Sequence, residues 1–142
     1  MVYAQIRNHA LENHIRVIDS VKARGVTAGL TLALNRARRD LVDALQVREE
    51  KRLELVEEYA AREDGEKVVE NDRIRIEEDR LEEFGGAVNE LFNAHAEVHG
   101  VFRDHLESQP DTVLLRSIEL DDGTELDEGS FLENLLVERP RS

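Results

Sequence analysis

The sequence is organised around residues 29–106, where two long helical patterns flank a polar connector. The first pattern is LTLALNRARRDLVDALQVREEKRLELVEEYAAR (residues 30–62), and the second is EEDRLEEFGGAVNELFNAHAEVHGVFRDHLE (residues 77–107). The connector between them is EDGEKVVENDRIRI (residues 63–76). In both patterns apolar residues recur every three or four positions, as they do along one face of a helix. We therefore expect a long antiparallel helical hairpin with a coiled-coil-like seam.

The second helix has the more regular apolar seam. Its spacings alternate between three and four residues over four heptads, which is the repeat of a coiled coil. The members of this seam are Leu81, Phe84, Val88, Leu91, His95, Val98, Phe102 and His105. Gly85 and Gly86 lie inside the pattern, where each weakens a helix by about 1 kcal/mol relative to alanine. They indicate either a kink or a very close neighbour.

The first helix has an apolar face that is interrupted near its middle. Its predicted core face consists of Leu30, Leu34, Ala37, Leu41, Leu45, Leu53, Val56 and Ala60. Around Arg48, Glu49 and Arg52 the same face is polar. Either the helix leaves the core there or these groups are paired inside, and burying charges costs several kcal/mol unless they are well paired. We expect exposure of these three side chains.

The connector predicts a small β element at residues 67–76. Glu63-Asp64-Gly65-Glu66 is a turn sequence, and Arg73-Ile74-Arg75-Ile76 alternates as a half-buried strand does. Residues 67–69 can pair with residues 73–76 across a turn at 70–72. Because an isolated hairpin is marginal in water, this one needs another surface to pack on.

The segments on either side predict shorter elements. Residues 1–7 alternate weakly and form a strand or an ordered arm, and a helix follows over residues 8–23, capped by Asn8 and ended by Gly25. After the hairpin, residues 112–120 predict a strand and residues 121–124 a turn. Ser130-Phe131-Leu132-Glu133 is a capping box that opens a short last helix, ending at about Val137.

These elements predict a mainly α fold of one domain over residues 1–142. It consists of an N-terminal arm and helix (1–24), the helical hairpin with its β connector (27–107), and a strand, a turn and a short C-terminal helix (111–138). A length of 142 residues suits one modest hydrophobic core.

Composition excludes several classes of function. A net charge of −13 opposes nucleic-acid binding, which needs a clustered basic face. The N-terminus lacks the apolar core of a signal peptide, and no apolar run approaches the roughly 20 residues of a membrane span. The absence of cysteine excludes disulfides and thiolate metal sites. We expect a soluble protein, or part of a soluble particle, that binds neither nucleic acid nor membrane.

The basic residues are three lysines against sixteen arginines. An acidic surplus with little lysine favours adaptation to high salt, as in haloarchaea and their viruses, because a Debye length of about 3 Å at molar salt suppresses self-repulsion. A GC-rich genome, which favours arginine codons, explains the same bias.

Few residues point to chemistry. His95 and His99 are four residues apart, a spacing that suits a metal on a helix, but HAEVH lacks the glutamate of the zincin motif. A contact between His95 and Glu49 across the hairpin is the plainer interpretation. The acidic segment DDGTELDE (residues 121–128) lacks EF-hand ligands, since Ile118 and Leu120 occupy the required positions. We therefore expect no enzyme activity and no cofactor.

The apolar residues indicate a function more strongly than the polar ones do, because the two long apolar stripes exceed what one hairpin can bury. We expect homo-oligomerisation or insertion into a larger assembly. Addition of residues 113–120 as a strand to a partner's sheet is one mode, to which Leu115 and Ile118 would contribute. The candidate interaction residues are Leu81, Phe84, Val88, Leu91, Val98, Phe102, Leu115, Ile118, Phe131 and Leu135.

Three stretches resemble a small family of tailed-bacteriophage proteins of unknown function. Residues 55–66 match its helix ending in a KYA-x-x-DG type segment, residues 74–91 its I-x-I strand and acidic helix, and residues 118–136 its C-terminal end. Such genes lie among the structural genes of siphophage-like genomes. The resemblance implies a viral origin and no catalytic residues. The arginine bias here departs from the lysine-rich members and would make this a halophilic version with altered partner surfaces.

The leading hypothesis is a non-enzymatic structural component of a tailed virus, associated with the tail, neck or baseplate. It would be present in several copies, packed against other virion proteins, and located in the virion or in the host cytoplasm during assembly. An intracellular viral regulator, or an acidic inhibitor that binds a host protein, is the alternative. A metal-dependent enzyme using His95, His99 and Asp104 is the third hypothesis.

Overall fold

A computed structural model describes residues 2–107, 117–119 and 125–138. The fold is mainly α, as predicted. The helices in these ranges are α1 (Leu11–Lys22), α2 (Ala28–Tyr59), α3 (Leu81–Asn93), α4 (Arg103–Glu107) and α5 (Glu128–Leu135). The strands are β1 (Tyr3–Arg7), β2 (Arg62–Glu63), β3 (Glu66–Lys67), β4 (Val69–Glu70), β5 (Arg73–Ile74), β6 (His95–His99), β7 (Val101–Phe102), β8 (Ser117–Glu119), β9 (Glu125–Asp127) and β10 (Leu136–Val137).

The chain divides into two compact units. Residues 1–45 and 95–142 form the first, here named the core unit, and residues 46–94 form the second, the middle unit. Helix α2 contributes its first half to the core unit and its second half to the middle unit.

The described part of the core unit contains three small two-stranded sheets, of which β8–β9 is described below. Strand β1 pairs antiparallel with β6, so that Tyr3 lies opposite His99 and Arg7 opposite His95. Strand β7 pairs parallel with β10. Of the two alternatives for residues 1–7, the strand is therefore observed. Gly100, between β6 and β7, lies so close to Val137 that a Cβ at this position would be 2.6 Å from both Val137 methyl carbons.

The second long helix is shorter than predicted. Helix α3 ends at Asn93, and residues 95–99 are a strand instead of a continuation of the seam. The physical reason is the pairing with β1, which satisfies the backbone and buries Val98. His-Ala-Glu-Val-His alternates between polar and apolar residues, so it fits period 2 as well as a heptad. The coiled-coil seam is thus wrong from His95 onward.

The hydrophobic core of the core unit is formed by side chains from seven of the described elements. Helices α1 and α5, the first half of α2 and the strands β1, β6, β7 and β9 all contribute. Its buried members are Ala4, Ile6, Leu11, Val17, Ile18, Val21, Leu30, Leu34, Ala37, Leu41, Val98, Val101, Leu126, Leu132 and Leu135. The predicted inner face of the first half of α2 is confirmed.

The ends of α1 differ in how well the sequence predicts them. Asn8 does not cap the helix, because residues 8–10 form a 3-10 turn and α1 begins at Leu11 with Ala10 as its N-cap. Gly25 takes φ +76° just after the helix, as its role as a stop signal requires.

The C-terminal elements shift relative to the prediction. Strand β8 pairs antiparallel with β9, with Ile118 opposite Leu126. The cap of helix α5 is Asp127, three residues before the predicted cap Ser130, because the side chain of Asp127 accepts hydrogen bonds from the Gly129 N–H (3.0 Å) and the Ser130 hydroxyl (3.2 Å). The predicted turn at 121–124 and the predicted strand residues 112–116 and 120 lie outside the described residues.

The middle unit contains two tight hairpins where one was predicted. Strand β2 pairs with β3 and β4 with β5. The predicted pairing across residues 70–72 is observed for Val69 with Ile74, and the Arg75 N–H donates to the Val68 carbonyl, but Lys67 pairs with Arg62 instead. Each turn places two residues at positive φ (Asp64 and Gly65, then Asn71 and Asp72), which matches the twist of a hairpin. Backbone hydrogen bonds of 2.8–2.9 Å link Ala61, Val68 and Arg75 in a closed ring, so each hairpin supports the other.

Candidate functional site

The middle unit contains no buried leucine, isoleucine, valine or phenylalanine, although every one of its residues is described. Its buried apolar residues are only Tyr59, Ala60 and Ala61. The other large apolar side chains, here named the apolar surface, are Val47, Leu53, Leu55, Val56, Val68, Val69, Ile74, Ile76, Leu81, Phe84, Val88, Leu91 and Phe92. Val47, Leu53, Val69 and Leu81 are exposed, and the other nine are half-buried. Accessible apolar side chains that cluster together mark protein-binding sites in many soluble proteins.

Aromatic contacts hold part of the middle unit together. The rings of Tyr59 and Phe84 are 5.7 Å apart between centroids, and the Arg80 guanidinium lies 4.0 Å from the centroid of Tyr59. Arg80 also donates a hydrogen bond to the backbone carbonyl of Glu58 (3.3 Å). Burial raises the pKa of Tyr59, and the Glu83 carboxylate adds to this effect. These contacts connect the end of α2 with the start of α3.

The polar interruption of α2 is only partly exposed. Arg48 is 4% exposed, so the expected exposure is wrong for this side chain. Its guanidinium lies 4.7 Å from the centroid of Phe92 and donates to Glu49 at 2.8 Å. Arg52 donates to the same carboxylate at 2.6 Å, and these two hydrogen bonds lower the pKa of Glu49. An aromatic face and a carboxylate thus make the burial of Arg48 tolerable.

The middle unit also carries most of the charge imbalance. Residues 46–94 contain sixteen acidic and eight basic side chains, a net charge of −8 out of −13 for the chain. Among the described arginines of this unit, Arg62, Arg75 and Arg80 pair with carboxylates of the same unit. The side chains of the apolar surface therefore belong to a strongly acidic part of the chain.

The predicted interaction residues fall into three groups. Leu81 is 51% exposed and Phe84, Val88 and Leu91 are half-buried, all on the apolar surface. Val98 and Leu135 are buried in the core, where no partner can reach them.

The remaining predicted interaction residues belong to the C-terminal half of the core unit. Phe102 and Phe131 are half-buried there, and Phe131 packs edge-on against His14 at 4.8 Å between centroids. Ile118 occupies the β8–β9 pair, and Leu115 lies outside the described residues.

His95 and His99, the weak candidates for a metal pair on a helix, do not lie on a helix. They lie in a strand, where four residues span about 13 Å. Glu49, the partner expected for His95, pairs with Arg48 and Arg52. Asp104, which the third hypothesis adds to them, lies on α4. Within the described ranges, no group of three histidine, aspartate or glutamate side chains could hold a metal ion.

A second candidate site was not anticipated from the sequence. In the core unit, Asp40 accepts a hydrogen bond from the His99 backbone N–H (2.8 Å) and another from the His99 ring Nδ1. Both side chains are 21% exposed, and the Tyr3 ring lies 5.1 Å from that of His99. No spacing rule connects residues 59 positions apart, so only the β1–β6 pairing reveals this arrangement.

In the described part of the chain, no helix combines the length and apolar character needed to cross a membrane. Comparisons with protein families, with characterised proteins and with solved structures find no match.

Proposed function

We propose that the chain is a non-enzymatic structural component of a tailed virus particle, which acts by protein–protein packing in several copies. The observation that carries the proposal is the middle unit, where none of thirteen large aliphatic or phenylalanine side chains is buried. A region of 49 residues without such a core gains stability mainly by covering its apolar surface with a neighbour. The resemblance of residues 55–66 and 74–91 to a tailed-phage family agrees with this role.

The finer architecture that we propose for the middle unit is a helical hairpin. Tyr59 of α2 contacts Phe84 of α3, and Arg48, three turns earlier in α2, contacts Phe92 near the end of α3. This order of contacts supports antiparallel packing of the two helices. A neighbouring protein would then pack on the half-buried side chains of the apolar surface, as another helix packs in a coiled-coil-like bundle. The neighbours would be other virion proteins, further copies of this chain, or both.

A second mode of packing would use the C-terminal strand. Addition of residues 113–120 to a partner's sheet needs an open strand edge, and β8 has one described neighbour, β9. Leu115→Asp combined with Ile118→Asp should abolish assembly by this mode. Assembly that survives both substitutions would refute strand addition and leave packing of the middle unit.

The most direct test is mass spectrometry of gradient-purified virus particles, with peptide counts scaled to the major capsid protein. We expect the chain at a fixed stoichiometry, a multiple of three, five or six, which would also suggest the ring that it joins. Absence from particles together with abundance in infected-cell lysate would refute the structural role. That result would favour the alternative, a viral regulator or acidic inhibitor of a host protein.

Sedimentation equilibrium of the purified chain tests the packing mechanism without the particle. Leu81→Asp places a charge on the apolar surface and should shift association toward monomer. Leu32→Asp is the matched control, because Leu32 is 54% exposed, against 51% for Leu81, but belongs to the core unit. Equal shifts by both variants would show that association depends no more on the middle unit than on the core unit. A monomer at all concentrations would leave other virion proteins as the only partners.

A further inference from the structure

The core unit contains a partly enclosed cavity of about 140 Å³ with an unusual lining. Three basic side chains, Arg36, His99 and His105, share its wall with apolar side chains that include Val2, Leu32 and Phe102. Among the described residues that line it, none carries a carboxylate. In a chain with 32 acidic residues, a cavity whose described lining combines an arginine and two histidines with apolar groups is a distinct chemical environment.

Arg36 provides the main positive charge at this cavity. Eight other arginines in the described part pair with carboxylates (Arg24, Arg38, Arg48, Arg52, Arg62, Arg75, Arg80 and Arg103). Arg36 has no ion pair with any described residue. Its natural partner one helical turn later is Asp40, but that carboxylate accepts from His99 instead. No described carboxylate therefore competes with a ligand for the guanidinium of Arg36.

His99 is fixed in place at the same wall. Because both its backbone N–H and its ring Nδ1 bond to Asp40, the ring cannot swing away from the cavity. The Tyr3 ring at 5.1 Å packs against it as well. A carboxylate that holds an imidazole in this way sets its orientation toward whatever occupies the site.

The apolar part of the lining is exposed at the cavity rim. Leu32 is 54% exposed, one of few large aliphatic side chains so accessible in the core unit. Phe102, whose ring meets that of His105 edge-on at 6.1 Å, forms another part of the wall. A ligand with a short hydrocarbon body would cover Leu32 while its charged end reaches Arg36.

We propose that this cavity binds a small monocarboxylate with a short apolar body. The fork of the Arg36 guanidinium matches the two oxygens of a carboxylate, and Val2, Leu32 and Phe102 contact the hydrocarbon. The volume holds about ten water-sized groups, which limits the ligand to a short chain or a single ring. This site is independent of the virion role, since it lies in the core unit and needs no partner protein.

The test is an NMR titration of the ¹⁵N-labelled full chain with sodium butyrate at constant pH and ionic strength. We expect the backbone amide signals of Gly29, His99 and Gly100, which line the cavity, to shift saturably with a millimolar dissociation constant. Butyramide has the same shape without the charge and should bind about tenfold more weakly. Inorganic phosphate, which has the charge without the hydrocarbon, should also bind more weakly.

Two arginine variants make the test specific. Arg36→Gln should weaken butyrate binding about tenfold, because it removes the charged hydrogen bonds. Arg39→Gln removes the same charge from the same helix but at a residue that does not line this cavity, and it should leave binding unchanged. The proposal is overturned if no saturable shift appears, if butyramide or phosphate binds as tightly as butyrate, or if both variants weaken binding equally. Circular dichroism of each variant confirms that it is folded.

Discussion

The two units of this chain are stabilised by different kinds of interaction. In the core unit, fifteen of the described apolar side chains are buried, from helices and strands that are distant in sequence, so its stability comes from long-range packing. The middle unit buries no large aliphatic side chain and depends on hairpin turns, aromatic contacts and ion pairs that are mostly local. The difference shows how one helix, α2, can be a core element in its first half and carry exposed apolar side chains such as Leu53 in its second.

The contrast is sharpest within α2, where the same substitution can be made in both units. Leu34→Ala removes a side chain that is 0% exposed and should cost about 2–5 kcal/mol of unfolding free energy. Leu53→Ala, at a residue that is 56% exposed, should change it by less than about 0.5 kcal/mol. Urea denaturation followed by circular dichroism measures both. Equal losses would show that the middle unit contributes to a shared core, and a single cooperative transition would support the prediction of one domain.

Glycines provide the next comparison, because the two units hold them for different reasons. A Cβ on Gly100 in the core unit would lie 2.6 Å from the Val137 methyls, so Gly100→Ala should cost about 1–3 kcal/mol. Gly86 in α3 has no described atom within 4 Å of such a Cβ, so Gly86→Ala should stabilise the helix by up to about 1 kcal/mol. Thermal unfolding measures whether each substitution lowers or raises the stability of the protein. Gly100→Ala should become nearly neutral in a Val137→Ala background, and a persistent cost there would assign the effect to the backbone.

Local patterns predicted the helical elements of the chain well. The inner face of the first half of α2, the stop at Gly25 and the mainly α class all follow from periodicity and end signals. The same reasoning placed Leu53 in the core, because periodicity shows which residues share a face but not whether anything covers that face. Burial depends on distant elements, and in the middle unit no described element covers Leu53.

The errors concentrate where tertiary pairing overrides local pattern. Residues 95–99 fit a heptad seam, but β1 from the other end of the chain supplies a strand partner. The cavity of Arg36 and His99 was missed for the same reason, since its walls come from elements brought together by that pairing. Among the candidate interaction residues, the structure leaves Leu81, Phe84, Val88 and Leu91 at least partly accessible, as an interaction surface requires, but it buries Val98.

A pH titration separates the two units further, because all five histidines lie outside the middle unit. His14 is 2% exposed, and burial lowers its pKa below the ordinary 6.5, although its Nδ1–H donates to the Ala10 carbonyl at 2.8 Å. The unfolded chain therefore takes up the proton first. Stability should be full above pH 6.5 and fall as the pH drops below it, by at most about 1.4 kcal/mol per pH unit.

Hydrogen exchange at pH 7 and at mildly acidic pH is the measurement for this effect. Protection should fall around α1 and α5, which meet at His14 and Phe131, while that of the middle unit stays constant over the same range. His14→Phe should remove the dependence attributed to this residue, whatever it does to stability at neutral pH. Loss of protection in the middle unit over that window would show that the two units unfold together.

The smallest expected effect is at Glu49, where the middle unit has a pH response of its own. Hydrogen bonds from Arg48 and Arg52 lower the pKa of Glu49 below the ordinary 4.5. Because the folded pKa is depressed, the stabilisation is fully present above pH 4.5 and is lost as the pH falls through the lowered value. The group is largely solvated, so Glu49→Gln should cost only about 0.2–1 kcal/mol at neutral pH, and less at molar salt. Urea denaturation at low and high salt tests this. A larger cost that salt does not reduce would mean that Glu49 mainly balances the buried charge of Arg48, and the middle unit would then have a small polar core of its own.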